Sequence, residues 1–561
     1  MTSAKDNAMR RFASILFLLI AVTGCQSGAD HPEPTLILFG GHIITPGQPA
    51  ATALAVAGDR IILVGDDETV VQMNRKNTRV VDLAGAVVVP GFNDSHCHLY
   101  GLGKALSEID LMGTISQAEV ASRVAEAHEQ RPGDTWLQGR GWDQNDWEIQ
   151  EYPHRELLDE VTVDRPVLVR RVDGHAALAN SRALALAGIT AETPDPEGGQ
   201  IIRDEKGLPT GVLIDNAVDL VRAIIPAPDT EEMARRVTLA IEHCHRYGIT
   251  GVHEAGVSWQ RVEYYKMLAD AGNLDLRIYA LLDDTPQTLD PGLANGPIHT
   301  PGDILTVRAV KLYTDGALGS RGARLLEDYC DHSGHRGLFV SNYDHLRDAA
   351  ERATKAGFQV GSHAIGDEAN RVMLDIYEEL NASLKPADPR WRVEHSQILS
   401  PEDIPRFAQL GVIAAMQPVH CTSDMDWAGD RLCEDRLPGA YAWNSLLKTG
   451  AHLCFGTDFP VERVDPLAGL YSARTRTHPD GTPIGGWQAQ EIIDGQTALE
   501  LYTAGSAYAA FMENRLGKIK TGYFADLTVL DGNPITCEPA DLLGMKVKMT
   551  IVAGKIVYQA H

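Results

Sequence analysis

Apolar positions along this chain follow two rhythms. Near the start they come in short runs, at residues 35–39, 53–56, 60–64 and 80–83, broken by glycine- and aspartate-rich turns, and the same texture returns at 526–530 and 549–557. Short runs bounded by such turns predict β-strands. In between the pattern changes. Compact apolar runs at 86–89, 249–253, 307–313, 358–362, 391–394 and 452–457 alternate with longer stretches, such as 231–247, whose apolar residues recur near helical spacing. That alternation predicts strands buried on both faces and joined by helices, the pattern of a parallel sheet. Roughly 150 residues separate 98 from 249. This is far longer than an ordinary strand-to-helix connection, and it contains its own strand-like run at 167–172, so an inserted subdomain is expected there.

Each compact run ends in a polar residue suited to binding or bridging a metal. The run at 86–89 leads through Pro-Gly-Phe-Asn-Asp-Ser to His96, Cys97 and His98. Side chains at i and i+2 of a strand share a face, so His96 and His98 can grip one cation while Cys97 points away. Lys311 lies within 307–313, His363 follows 358–362, His395 follows 391–394, and Asp458 closes Phe-Gly-Thr-Asp-Phe-Pro. A single His after a strand is more often a packing residue than a ligand. Six such residues in one alternating pattern are another matter, because catalytic groups of a parallel barrel gather at the carboxyl ends of its strands.

At this point the chain resembles the amidohydrolase superfamily, and within it the branch like N-substituted formamide deformylase. The resemblance runs from about residue 35 to 557 and is carried by several motifs. These are Asp-Leu-Ala-Gly-Ala-Val-Val-Val-Pro-Gly-Phe-Asn-Asp before the His pair, residues 139–147 (Gly-Arg-Gly-Trp-Asp-Gln-Asn-Asp-Trp), residues 173–184, the Lys311 segment with residues 315–320, and residues 522–531.

The resemblance implies an α/β fold: a TIM-type (β/α)8 barrel at 90–514, interrupted by an insertion at about 115–230 and flanked by a β-sandwich built from 35–89 and 515–561. It also implies a divalent-metal site, two zinc ions per chain, held by His96, His98, His363, His395 and Asp458. A carbamate on Lys311 would bridge the ions; without it, Lys311 is a salt-bridged barrel residue and the site holds one ion. Bound divalent metal lowers the pKa of water toward about 7. Asp458 is then the general acid-base group, although an N-cap role at the following turn is compatible with ligation. Trp142, Asp143, Trp147 and His175 in the insertion are expected either to touch substrate or to pack the insertion on itself. Asp315, Ser320 and Arg321, just past the lysine strand, are expected to orient substrate or the groups behind the ligands, and His253 is a weaker site candidate.

The reaction expected is hydrolysis of a carbon-nitrogen bond in a small amide, N-formyl or N-acyl amine. Deamination, cyclic-amide opening and ester cleavage use the same groups. A binding module without catalysis is the more distant reading, and six metal-type residues speak against it.

The 561 residues, 44% hydrophobic, suffice for a barrel and smaller modules. A net charge of -26 argues against nucleic acid as partner. Arg10 and Arg11, an apolar run at 12–22 and Thr23-Gly24-Cys25 read as a secretory signal at 1–24. The ending resembles a bacterial lipoprotein box, implying lipidation of Cys25, a tether at 25–34 and a membrane-anchored, periplasm-facing enzyme. Gln26 favours the outer membrane. A homodimer is compatible with the sequence. The other cysteines lack regular spacing and are expected as buried thiols, with Cys421 and Cys433 the closest pair in sequence.

Overall fold

The computed structural model describes residues 32–45, 50–130, 135–162, 164–172 and 175–560. The expected signal segment, Cys25 and the tether as far as residue 31 lie outside the described residues. Among the described residues no helix is long and apolar enough to cross a membrane.

Eight parallel strands in chain order form the central sheet: β1 (Phe92–Cys97), β2 (Ile249–Val257), β3 (Arg277–Asp283), β4 (Leu305–Tyr313), β5 (Gln359–Ala364), β6 (Arg392–His395), β7 (Ile413–Met416) and β8 (Leu453–Phe455). Each pairs with its sequence neighbour, and β1 also pairs with β2. The ring closes just beyond β8. There the Asp458 N–H donates to the His96 carbonyl at 2.8 Å and the His98 N–H donates to the Phe459 carbonyl at 2.8 Å. The Asp94 carboxylate accepts from the Thr457 N–H at 3.0 Å and from the Thr457 hydroxyl at 2.6 Å. The fold is therefore the expected (β/α)8 barrel.

Alternation along the strands sets what enters the barrel. Tyr279, Leu281 and Ala309 turn inward and pack on Ala507, Met512, Leu516 and Phe524, which close the amino-terminal floor. Two positions past Ala309, the same alternation carries Lys311 toward the opposite end of the barrel interior.

Two further sheets sandwich a core of Leu38, Val56, Val88, Leu527 and Ile551. One has the order Arg60–Gly65, Ala53–Ala57, Leu36–Phe39, Arg79–Asp82; the other runs His42–Ile43, Val87–Pro90, Leu527–Leu530, Val547–Val552, Lys555–Gln559. Both chain ends thus build the flanking module. Within its C-terminal part, Ile519 and Ala525 join the sandwich core while Leu516 and Phe524 serve the barrel floor.

The inserted subdomain has its own six-stranded sheet, from Ile109–Asp110 to Pro209–Asp215, and its own core. Trp142 is 0% exposed within that core, its indole N–H donating to the Val169 carbonyl, and Trp147 packs beside it. Asp143 caps the turn Gln144–Asp146 and pairs with Arg171 at 2.5 Å, and the His175 ring lies 2.8 Å from Asp215. The two indoles are too buried to meet substrate, which corrects that expectation for Trp142 and Trp147. Asp143 and His175 each pair with another residue of the insertion.

The cysteine expectation is also corrected. Cys330 and Cys433 form a disulfide across 103 residues, while Cys421, nearest to Cys433 in sequence, is a buried thiol.

Candidate active site

The strand ends deliver their polar residues to one cluster at the carboxyl mouth of the barrel. One ligand atom each from His96, His395 and Asp458 lies within 4.8 Å of the others, and all three residues are buried. The His98 Nε2 is 3.3 Å from the Asp458 Oδ1 and the Lys311 Nζ is 3.3 Å from the His96 Nε2. The His363 ring sits 4.5 Å from that of His395. All six residues that the strand-end pattern singles out therefore meet in space.

Three of the imidazoles are oriented from behind. The Nδ1–H of His96 donates to the Glu394 carboxylate at 2.5 Å, that of His98 to the Ala255 carbonyl at 3.1 Å, and that of His395 to the Gln417 amide oxygen at 2.8 Å. Each partner fixes the tautomer in which the Nε2 lone pair faces the cluster. Glu394 is itself clamped by Arg392, 2.8 Å away, and both are 0% exposed. Arg392 also donates to the Ser95 carbonyl at 2.7 Å and meets the His253 Nδ1 at 2.8 Å. On the neighbouring strand only glycine leaves room for this pair, because a Cβ at Gly361 would come within 2.6 Å of the Glu394 Oε1. His253 lies in the middle of β2, wholly buried in this network, and so supports the cluster from beneath rather than facing the mouth.

Electrostatics suit a cation. Burial pushes the His96 imidazole down to about 4, with Lys311 adding to the effect, and burial likewise pushes His363 down to about 3. His395 also falls well below the ordinary range through burial. All three are neutral ligands at pH 7. Burial works against the Asp458 charge, yet His420 and His98 beside it hold its carboxyl well below the usual range. The Asp458 Oδ1 is buried with no hydrogen-bond partner, a costly state unless something else satisfies it. Nitrogen lone pairs and a carboxylate oxygen converging in this way fit a divalent metal ion. Burial lowers Lys311 to about 8, so an appreciable share of its amine is neutral near that pH. His395 and Asp458 adopt left-handed backbone angles, φ 75° and 60°, strain of a kind that collects at functional sites.

Other expected residues lie elsewhere. Asp315 is 2% exposed, accepts from the Ile365, Gly366 and Arg324 N–H groups, and stands 3.6 Å from the His363 Nε2. It fastens the loop after β4 to the end of β5, behind His363. Arg321 pairs with Asp331 at 2.7 Å and the Ser320 hydroxyl donates to the Ala317 carbonyl. Both make these contacts within the loop after β4.

His420 was not singled out. It lies in the first turn of the helix Pro418–Arg436, four residues past the end of β7, with its Nε2 3.3 Å from the Asp458 Oδ2. Its only signal in the sequence is Gln-Pro-Val-His directly after a buried apolar run.

The barrel with this cluster at its mouth is that of a metal-dependent hydrolase. A solved structure with that description, from Pyrococcus furiosus, superposes with a TM-score of 0.74 at 31% identity, covering 89% of this chain and 99% of the other. The family model described as amidohydrolase matches residues 79–558, and the chain belongs to the amidohydrolase family. The Bacillus subtilis (strain 168) protein YtcJ is 36% identical over 493 residues, 86% of this chain and 91% of that protein. The N-substituted formamide deformylase of Arthrobacter pascens is 29% identical over 524 residues, 91% of this chain and 95% of that enzyme.

Proposed function

We propose that this hydrolase cleaves the carbon-nitrogen bond of a small amide, N-formyl or N-acyl amine. The observation that carries the reading is the placement of the Asp458 Oδ1 beside the inward-facing Nε2 atoms of His96 and His98. Similarity to the deformylase of Arthrobacter pascens supports the choice of bond.

His96, His98, His363, His395 and Asp458 would hold two divalent ions, zinc in this reading. Lys311 would join these ligands as its carbamate, formed when the neutral amine adds carbon dioxide and loses a proton. Such ions supply Lewis acidity, which polarises a carbonyl oxygen and makes water acidic enough to ionise near neutral pH. The protein's own part in the chemistry belongs to Asp458. Its carboxylate takes a proton from the attacking water and returns it to the nitrogen as the carbon-nitrogen bond breaks, giving a carboxylic acid and an amine. Glu394, Gln417 and the Ala255 carbonyl keep the imidazoles aimed while this happens. The buried cluster also limits the water that reaches the reacting bond.

The test is metal content per chain, measured on the protein from Gln26 onward and on Lys311→Ala, alongside a panel of N-formyl and N-acyl amines, esters, cyclic amides and aminated heterocycles. About two ions, falling sharply in Lys311→Ala, with turnover confined to acyclic amides, is the expected result. One ion in both proteins with turnover of aminated heterocycles sinks it in favour of a mononuclear deaminase.

Lipidation of Cys25 and a place on the periplasmic face of the outer membrane belong to the same reading. Incorporation of labelled palmitate that survives Cys25→Ala overturns them.

A further inference from the structure

The reaction described above leaves His420 without a role. Yet the Asp458 carboxylate is divided between two sides of the site. Its Oδ1 lies 3.3 Å from the His98 Nε2 and 3.7 Å from the His96 Nε2, facing the ligand cluster. Its Oδ2 lies 3.3 Å from the His420 Nε2, an ion-pair contact at a buried imidazole nitrogen that has no hydrogen-bond partner. The other nitrogen of that ring, Nδ1, is 3.9 Å from the Glu462 Oε1, so the imidazole stands between two carboxylates.

The helix that carries His420 is held in place by contacts independent of Asp458. One turn further on, the Asp424 carboxylate accepts the Tyr441 hydroxyl at 2.5 Å and the Gln397 side-chain amide at 3.1 Å. Gln397 is two residues past His395, and its carbonyl accepts the Tyr441 N–H at 2.7 Å. The next turn sets the Trp427 ring against Gly319, where a Cβ would sit 3.1 Å from the indole. At the far end Cys433 is bonded to Cys330. His420 is thus anchored from β6 and from the loop after β4, while the torsion that turns a carboxylate is soft and roughly two-fold. A rigid imidazole is meeting a side chain that needs orienting.

We propose that His420 is a positioning residue for Asp458, holding Oδ2 so that Oδ1 stays turned toward His96 and His98 and the carboxylate remains in line to carry the proton. This rests on the reading of Asp458 as the acid-base group. His420 is assigned no metal ion and no substrate atom.

The test uses the full metal-loaded protein with His420→Ala, His420→Asn and His420→Gln. The Gln amide nitrogen can take the place of the imidazole Nε2, whereas the shorter Asn cannot reach Oδ2. Three readouts are taken: metal content, kcat and KM on an amide that the unaltered protein turns over, and the Asp458 carboxylate orientation in a crystal structure of His420→Asn. The expected result is unchanged metal content and KM in all three variants. kcat falls roughly 10–100-fold in Ala and Asn, the scale of a small misplacement of a reacting group, and recovers to within a few-fold in Gln. The Asp458 carboxylate is rotated in the Asn variant.

Loss of an ion makes His420 a ligand and overturns the proposal. A raised KM with unchanged kcat makes it a substrate contact and does the same, as does a Gln variant no better than Asn. Should the unaltered protein turn over no amide, the carbon-nitrogen reading fails on its own. Asp458 unmoved in the His420→Asn crystal would then still overturn the positioning role. His420→Gln and His420→Asn carry the test if the Ala variant does not fold.

Discussion

Glu394 and His96, 298 positions apart in sequence, meet at 2.5 Å inside the barrel, carboxylate to Nδ1–H. Burial alone would raise the Glu394 carboxyl, but Arg392 and His96 hold it far below the usual carboxylate range. It is therefore an anion that fixes a ligand imidazole from behind. Glu394→Gln keeps an acceptor for the Nδ1–H but leaves the buried Arg392 guanidinium uncompensated. The expected costs are about 3–5 kcal/mol of stability and about 10–100-fold in metal affinity. Urea unfolding of the metal-free protein reads the first and competition with a chelator reads the second. Unchanged metal affinity would show that Glu394 serves the fold alone.

Acid should release the metal late. A free imidazole is half protonated at about 6.5, but burial has moved His96 to about 4 and His363 to about 3. Protons compete for these nitrogens only well below neutrality. Metal content after dialysis is expected to hold from pH 7.5 to about 5.5 and to fall between about 5 and 3. For the metal-free fold the sign follows from the same lowered values. Between the unfolded value and about 4, the unfolded chain binds protons that native His96 refuses, so this contribution to stability is full above 6.5 and drains away as pH falls. Asp94 acts in the opposite direction. Burial raises its carboxyl to about 7, so its contribution is lost as pH rises through that value. Metal loss already at pH 6.5 would contradict the burial of the cluster.

The Cys330–Cys433 disulfide closes a loop of about a hundred residues and ties the strap after β4 to the helix after β7. Crosslinks of this span contribute about 2–4 kcal/mol. Cys330→Ser with Cys433→Ser is expected to lower the thermal midpoint by several degrees, while Cys421→Ser produces no such loss of a crosslink. Equal midpoints for the double variant and the parent, with and without reductant, would refute the contribution.

Thr457→Val removes one of the two donors that Thr457 offers to Asp94 while keeping the shape of the side chain. A buried carboxylate that loses a hydrogen bond costs about 1–3 kcal/mol. Denaturant titration should show that loss together with a lower metal content, because Asp458 is the next residue. A stability loss without any change in metal content would separate the seam from the site.

The six residues were legible in sequence because each lies in, at the end of or just past a compact apolar run, and a parallel barrel brings strand ends together. The run before His96 and His98 is nevertheless itself a strand of the flanking sandwich, Val87–Pro90, and the pair stands at the end of the next strand, Phe92–Cys97. The residues behind them were not. Arg392 and Glu394 lie within a run whose apolar neighbours mark it as a strand, and nothing local shows that two charges there face each other and His96 across the barrel. His420 lies on a helix rather than at a strand end, outside the pattern that located the others. Trp142 and Trp147 stayed open in sequence because large aromatics in an insertion suit either a binding face or a small core, and the structure shows the second, with the indole N–H of Trp142 spent on Val169. The disulfide was unreadable because 103 residues separate its halves, and proximity in sequence pointed to Cys421 instead.

The ring closes where the first barrel strand meets the last, and the cluster is built across that junction, with His96 and His98 on one side and Asp458 on the other. A nascent chain that stops short of residue 458 lacks the carboxylate, and a complete chain with an open ring cannot bring it to the histidines. The cluster therefore exists only in the closed ring. A form in which the first and last barrel strands have not met lacks the assembled set of His96, His98 and Asp458.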